Sequence, residues 1–151
     1  MRITLMKSEP IEAVSAGGIV YRIAPSEWQF AVCHRYSSNL WALPKGTPHE
    51  GESIAETALR EVSEETGLEI EIESDLGFIE YFFEKSDCMF HKRVYFFLMK
   101  ATGGSTDYHD DEFDEIHWLG KGKFPEMLTH VSEQEIATKA VSALVLRNDN
   151  E

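Results

Sequence analysis

The chain has 151 residues, 42% hydrophobic and 27% charged, which suits one soluble domain spanning 1–151 with its core between about 13 and 147. A formal net charge of −13 and a pI near 4.8 set it against the backbone of long nucleic acids, and no lysine- or arginine-rich cluster reverses that. No run of 18 apolar residues suggests a membrane span, and Met1–Pro10 lacks the apolar stretch of a signal peptide, so a cytoplasmic protein with no membrane partner is expected.

The first elements read as β-structure. After the Gly17-Gly18 pair, Ile19-Val20-Tyr21 predicts a strand within Ala13–Ala24. Pro25-Ser26-Glu27 predicts a turn, and Trp28–His34 returns as the second strand of a hairpin. Tyr36–Asn39 reads as a loop, and Trp41-Ala42-Leu43 as a short strand stopped by Pro44. Cys33 and Cys88 have neither CxxC spacing nor a companion histidine pair, which predicts reduced structural thiols.

A helix follows with clear punctuation. Ser53 and Glu56 have the spacing of a capping box, in which each side chain satisfies the other's backbone donor. Ile54, Ala55, Ala58, Leu59 and Val62 form the core-facing stripe, and Gly67 suits a left-handed C-terminal cap. Beyond it, Glu69–Glu73 and Phe78–Phe83 read as extended segments, and Val94–Met99 as a central strand. Gly103–Glu115 is a polar, acidic loop ahead of a short strand at Ile116–Leu119. Ser132 and Glu135 repeat the capping-box spacing before a stripe of Ile136, Ala137, Ala140, Val141, Leu144 and Val145. Two helices with several strands between them predict an α+β fold with helices on both faces of a mixed sheet.

The strongest pattern runs unbroken from Gly46 to Leu68. Gly46, five residues, Glu52, seven residues, Arg60-Glu61-Val62, one residue, Glu64-Glu65, one residue and Gly67-Leu68 all fall at fixed spacing. On a helix, Glu61, Glu64 and Glu65 share an arc of roughly 100°, where like charges repel. A hard divalent cation removes that cost, because it takes several oxygen ligands. Gly46 and Gly51 lie in the loop just ahead, so phosphate could sit near the helix N-terminus beside the metal. The chemistry implied is metal-assisted reaction of a phosphorylated substrate.

This pattern resembles the signature box of the Nudix hydrolases, and the resemblance extends from about Val14 to the C-terminal helix. It implies an α/β/α sandwich around a central mixed β-sheet. It further implies that Glu61, Glu64 and Glu65, with the Gly46 carbonyl, bind Mg²⁺ or Mn²⁺, while Glu52 and Arg60 brace the box. Bound metal would offset diphosphate charge and acidify the water that attacks phosphorus, the protein chiefly positioning and screening charge.

Segments outside the box bear on the substrate. Trp41-Ala42-Leu43-Pro44-Lys45-Gly46 is similar to a segment of bacterial diadenosine polyphosphate hydrolases within this family, and His91-Lys92-Arg93-Val94-Tyr95-Phe96-Phe97 resembles their basic-then-aromatic strand. By this resemblance Lys45 and Lys92 contact the phosphate chain, and Tyr81 or Phe83 stacks on adenine. Phe96 and Phe97 are expected in the core. Glu112, in the run His109-Asp110-Asp111-Glu112, takes the place of a further metal ligand or base. His34, Arg35 and His91 read as polar residues at strand ends facing water. The loop Gly46-Thr47-Pro48-His49-Glu50-Gly51-Glu52 departs from the usual order, with its proline displaced and His49 available for the contact that the related histidine makes. The expected partner is a small phosphorylated nucleotide. A nucleoside triphosphate or nucleotide-sugar pyrophosphatase is the second reading, and a non-catalytic nucleotide-sensing module the third.

Overall fold

The structure, a computed structural model, describes residues 9–149. Residues 1–8, which hold most of the Met1–Pro10 segment, and residues 150–151 lie outside the described residues. A seven-stranded mixed sheet forms the middle layer, in the order β3-β2-β1-β6-β5, with β4 paired to β1 and β7 to β2.

Strand β1 (Ile11–Ala24) is longer than the sequence predicts and is buried continuously from Ala16 to Tyr21, as a strand covered on both faces should be. It runs parallel to β6 (Cys88–Gly104) from Ile11↔Phe90 to Tyr21↔Lys100. Its far end forms the predicted hairpin with β2 (Glu27–Arg35). Beside its middle lies β4 (Lys45–Gly46), with Gly17 opposite Lys45. A Cβ on Gly17 would collide with the Pro44 carbonyl oxygen, so glycine lets this two-residue strand lie close to β1. The short strand β3 (Leu40–Ala42) and β7 (Glu115–Gly120) both pair with β2.

The extended segments at Glu69–Glu73 and Phe78–Phe83 prove to be one 18-residue strand, β5 (Leu68–Lys85), paired with β6 along its length. Three irregularities in register, between Glu69/Ile70, Ile72/Ser74 and Asp75/Gly77, let it pass through Ser74-Asp75-Leu76-Gly77, which looks like a break in the sequence. A two-residue turn closes the hairpin, with Ser86 at φ 53° and Asp87 at φ 63°. The loop predicted from Gly103 onward starts later, because Gly103 and Gly104 still belong to β6.

Helices cover both faces. On one side α1 (Ile54–Thr66) packs Ala58 and Val62 onto Ala16, Val20, Ala31 and Met99. The small alanines keep that helix close to the sheet. On the other side α3 (Val131–Asp149) sets Ile136, Ala137, Ala140 and Leu144 against Ile19, Phe30, Val32, Phe96 and Leu98. A short α2 (Phe124–Met127) adds Phe124, which stacks on Phe30 at 4.4 Å. Burying an aliphatic or aromatic side chain of this kind stabilises by about 1.5–3 kcal/mol.

The caps of α1 form as expected. Ser53 Oγ accepts from Glu56 N at 3.1 Å, Glu56 Oε1 accepts from Ser53 N at 2.9 Å, and Gly67 takes φ 79°. The expected box at Ser132 and Glu135 is different. Helix α3 starts two residues earlier, at Val131, with Glu133 N and Gln134 N both donating to the His130 carbonyl, so Ser132 lies inside the first turn. No helix among the described residues is long and apolar enough to cross a membrane.

Candidate active site

Helix α1 and strand β4 bring the glutamates and Gly46 together. The Glu61 carboxylate lies directly over Gly46, where a Cβ would collide with Glu61 Oε2. Arg60 then divides its guanidinium among the neighbouring acids. Its Nε donates to Glu52 Oε2 at 2.6 Å, Nη1 to Glu61 Oε1 at 2.6 Å and to Glu64 Oε1 at 3.1 Å, and Nη2 to Glu52 Oε1 at 2.9 Å and the Thr47 carbonyl at 3.0 Å. One planar fork thereby holds the helix and the preceding loop in a fixed relation. Glu52 also accepts from His49 N at 2.8 Å and Thr57 Oγ1 at 2.9 Å. The Arg60 fork, helped by the His49 amide, holds the Glu52 carboxyl down at about 2.

Glu65 differs from its neighbours. It is 4% exposed and has no arginine partner among the described residues. Burial, reinforced by the Glu61 charge, pushes its carboxyl up to about 9, against the pull of the Lys45 ammonium and backbone amide. Glu61, Glu64 and Glu65 do not bring their oxygens within 4.8 Å of one another, since Arg60 holds the first two. Three carboxylates around one guanidinium, with Glu65 beside them, leave an excess of negative charge and an all-oxygen donor set. That chemistry fits a hard dication.

Lys45 links this box to the opposite face. Its backbone amide donates to Glu65, while its side chain reaches Glu133 Oε2 at 3.0 Å. Burial opposes the Lys45 charge, but the Glu133 carboxylate outweighs it and raises the ammonium's pKa. Glu133 is 2% exposed, and its Oε1 accepts from Leu43 N at 2.9 Å, so α3 braces the strand that carries Lys45 and Gly46. The sequence reading missed Glu133. Its signal is there: it sits three, four and seven residues before Ile136, Ala137 and Ala140, on the apolar face of α3.

Around Lys45 opens a cleft of about 400 Å³ lined by Ile79, Tyr81, His130, Val131, Ser132 and Glu133. Tyr81 and Lys92 face each other across β5 and β6. Burial, and then the nearby charge of Lys45, lowers the pKa of Lys92, which places the two lysines in one electrostatic neighbourhood. Phe83 is one step farther along β5, stacked on Phe90 at 5.0 Å rather than lining the cleft. Phe96 is fully buried and Phe97 partly so.

In the acidic loop, Asp110 rather than Glu112 is the acid that acts on Glu65. Glu112 pairs with Arg35, whose Nη2 reaches its carbonyl at 3.1 Å and Oε1 at 3.3 Å. Asp110 instead acts electrostatically on Glu65, and its backbone amide donates to the Glu64 carbonyl at 3.0 Å. The three strand-end residues are not simply hydrated. His91 lies between Glu12 and Glu80, Arg35 holds Glu112, and His34 is 13% exposed among polar neighbours. Cys33 is fully buried and unbridged, and burial pushes its thiol up; Cys88 is exposed and unbridged.

The NUDIX domain profile matches residues 14–144, and the chain belongs to the Nudix family. It is 35% identical over 136 residues to "Putative mutator protein MutT4" of Mycobacterium tuberculosis, covering 86% of this chain and 55% of that protein. It is 29% identical to an 8-oxo-(d)GTP phosphatase of Mycolicibacterium smegmatis, over 84% of this chain and 41% of the relative. The chain therefore spans about half the length of these relatives or less. Among solved structures, a C. elegans Ap4A hydrolase superposes with a TM-score of 0.66 at 20% identity, covering 89% of this chain and 99% of the other. That likeness carries the fold, an α/β/α sandwich around a mixed sheet.

Proposed function

We propose that this chain is a Mg²⁺-dependent Nudix pyrophosphohydrolase that cleaves a phosphoanhydride bond in a nucleoside diphosphate derivative by attack of water on phosphorus. The carrying observation is the placement of Lys45 and Gly46. This two-residue strand touches Glu61 and Glu65 on one side and the lysine- and tyrosine-lined cleft on the other. Glu61, Glu64, Glu65 and the Gly46 carbonyl are the residues that would hold Mg²⁺ or Mn²⁺. When bound, the cation supplies charge neutralisation at phosphate oxygens and a more acidic water.

The chain's own residues do the rest. Arg60 and Glu52 hold helix and loop together, so the carboxylates keep one orientation while the ion pairs at Glu61 and Glu64 remain exchangeable. Glu65, with its carboxyl held protonated near neutral pH by burial, is a group that changes protonation as charge enters the site. Lys45 and Lys92 offer two cations to a polyphosphate chain. Tyr81, 40% exposed at the cleft, offers a stacking face for a base. Asp110 occupies the neighbourhood where a further acid would act on Glu65, with Glu112 farther round the loop.

Diadenosine polyphosphates are the substrates that this pair of lysines and the Trp41–Gly46 segment favour. An 8-oxo-purine nucleoside triphosphate is the second reading, supported by the name of the mycobacterial relative. Incubation with diadenosine polyphosphates, 8-oxo-dGTP, unmodified triphosphates, ADP-ribose and diphosphoinositols, with Mg²⁺ and product identification, decides between them. The expected result is Mg²⁺-dependent release of nucleotides from a diadenosine polyphosphate. Faster turnover of 8-oxo-dGTP would move the assignment to the second reading. Tight nucleotide binding without hydrolysis of any compound would replace catalysis with sensing.

A further inference from the structure

Outside the Glu61–Glu65 box, three side chains converge at the joint between β2 and β7. His34 on β2 lies directly opposite Glu115 on β7, and His117 follows two residues along the same strand, so pleating puts all three on one face. One ligand atom from each lies within 4.8 Å of the others. His117 Nε2 is 2.8 Å from Glu115 Oε1, and His34 Nδ1 is 3.9 Å from the same oxygen.

The state of His34 is the telling feature. Its Nε2 donates to Asn39 Oδ1 at 3.0 Å, which leaves Nδ1 as the lone-pair nitrogen. That nitrogen is buried and has no hydrogen-bond partner among the described residues, and the group it faces is a carboxylate, another acceptor. A buried polar atom left in this condition destabilises the fold by about 1–3 kcal/mol. A proton on Nδ1 would not complete a bond to an oxygen 3.9 Å away. A cation between them satisfies both.

The surroundings resemble the outer layer of a metal centre. Asn39 fixes the tautomer of His34, Trp41 stacks on its ring at 3.9 Å, and the Glu115 carboxylate acts on the neighbouring Tyr36 hydroxyl, raising its pKa. Two imidazoles and one carboxylate suit zinc and its neighbours, whereas an all-oxygen set suits Mg²⁺. Ligand bonds of about 2.0–2.2 Å put tetrahedral ligand atoms roughly 3.4 Å apart, so modest side-chain rotations would close the shell. The open side meets a cleft of about 260 Å³ lined by Thr106, Asp107, His109 and Asp114, through which a fourth, solvent ligand can enter.

We propose that His34 Nδ1, Glu115 and His117 Nε2 bind one zinc-class dication that clasps β2 to β7, separately from the glutamate box. The inference does not depend on the substrate or on catalysis. It is tested with the full chain, Zn²⁺ alone as probe, and saturating Mg²⁺ to fill the box, using equilibrium dialysis and thermal melting. One Zn²⁺ per chain should bind in the presence of Mg²⁺ and raise the melting temperature. Glu64→Gln should retain that zinc, whereas His117→Ala and the near-isosteric Glu115→Gln should each weaken it about tenfold or more, on the scale of lost metal-site interactions. Both variants should melt like the parent chain in chelator, which separates lost binding from lost folding. Absence of any zinc that resists Mg²⁺, or unchanged zinc affinity in Glu115→Gln, overturns the proposal.

Discussion

The box and the cleft are built on opposite logics. From Gly46 to Gly67 nearly every contact is local: Ser53 with Glu56, Arg60 with Glu52, Glu61 and Glu64, and Gly67 with Ser63. The cleft is assembled from distant pieces. Lys45 meets Glu133, 88 residues away, and Tyr81 faces Lys92 across a hairpin. Local constellations persist under single substitutions elsewhere, whereas the cleft depends on long-range packing. Under the proposed function, the box carries the chemistry and the cleft the choice of substrate.

The largest effect should come from the box. Glu64→Gln and Glu65→Gln keep the shape of the helix and are expected to lower Mg²⁺-dependent turnover by about 10²-fold or more, measured by product release alongside an unchanged circular-dichroism spectrum. Turnover equal to the parent in either variant would remove that glutamate from the chemistry. A cleft variant that lost turnover equally, with KM unchanged, would break the division between regions.

Within the box, Glu65 also sets a pH dependence. Its carboxyl titrates at about 9 in the folded chain against an ordinary 4.5, so the folded form holds an extra proton between those values. The stability this group contributes is full below about pH 4.5 and is lost as pH rises through about 9. Metal-free protein should therefore melt lower as pH rises through that window, and Glu65→Gln should flatten the slope. An unchanged slope in the variant would mean that other groups carry it. The buried position of Glu65 was not legible in the sequence, where Glu61, Glu64 and Glu65 look equivalent. Tertiary packing under Lys45 separates them.

That difference in legibility follows the same division. The caps and stripe of α1 lie within one turn or one loop, so spacing alone exposes them, while the Arg60 fork was implied by the Nudix resemblance of the box. The burial of Glu133 is signalled locally by its spacing to Ile136, Ala137 and Ala140, but its pairing with Lys45, the approach of Asp110 and the His34–Glu115–His117 cluster depend on how distant segments come together, which no local pattern specifies. β5 was read in two pieces because Ser74-Asp75 and Gly77 signal a turn locally, while pairing with β6 absorbs the irregularities.

The two lysines offer a sharper cut. Lys45→Ala leaves Glu133 buried with its charge unpaired. Breaking a fully buried pair costs about 3–5 kcal/mol; with the Lys45 side chain 26% exposed, a loss of roughly 2–3 kcal/mol is expected. Lys92→Ala breaks no ion pair among the described residues and relieves a neighbouring like charge. It should leave the denaturation midpoint near the parent value while raising KM. Equal destabilisation by both would show that Lys92 is structural.

Gly67 is where the box meets the acidic loop. It ends α1 at φ 79° and ψ 4°, a left-handed conformation that costs a residue with a Cβ about 1–2 kcal/mol. A Cβ there would also run into the Ser105 carbonyl oxygen and lie 2.8 Å from His109 N, because the acidic loop crosses directly over the helix end. The Gly67 carbonyl accepts from Ser105 N at 3.2 Å, and one turn earlier the Glu64 carbonyl accepts from Asp110 N. Gly67→Ala should therefore destabilise by at least about 1–2 kcal/mol in chemical denaturation. It should also speed amide exchange at Ser105 and Asp110 more than at Ser53-side amides of the same helix. Fraying confined to the last turn of α1, with protection at Ser105 and Asp110 intact, would mean that the loop is held in place by other contacts and that box and acidic loop are independent at this junction.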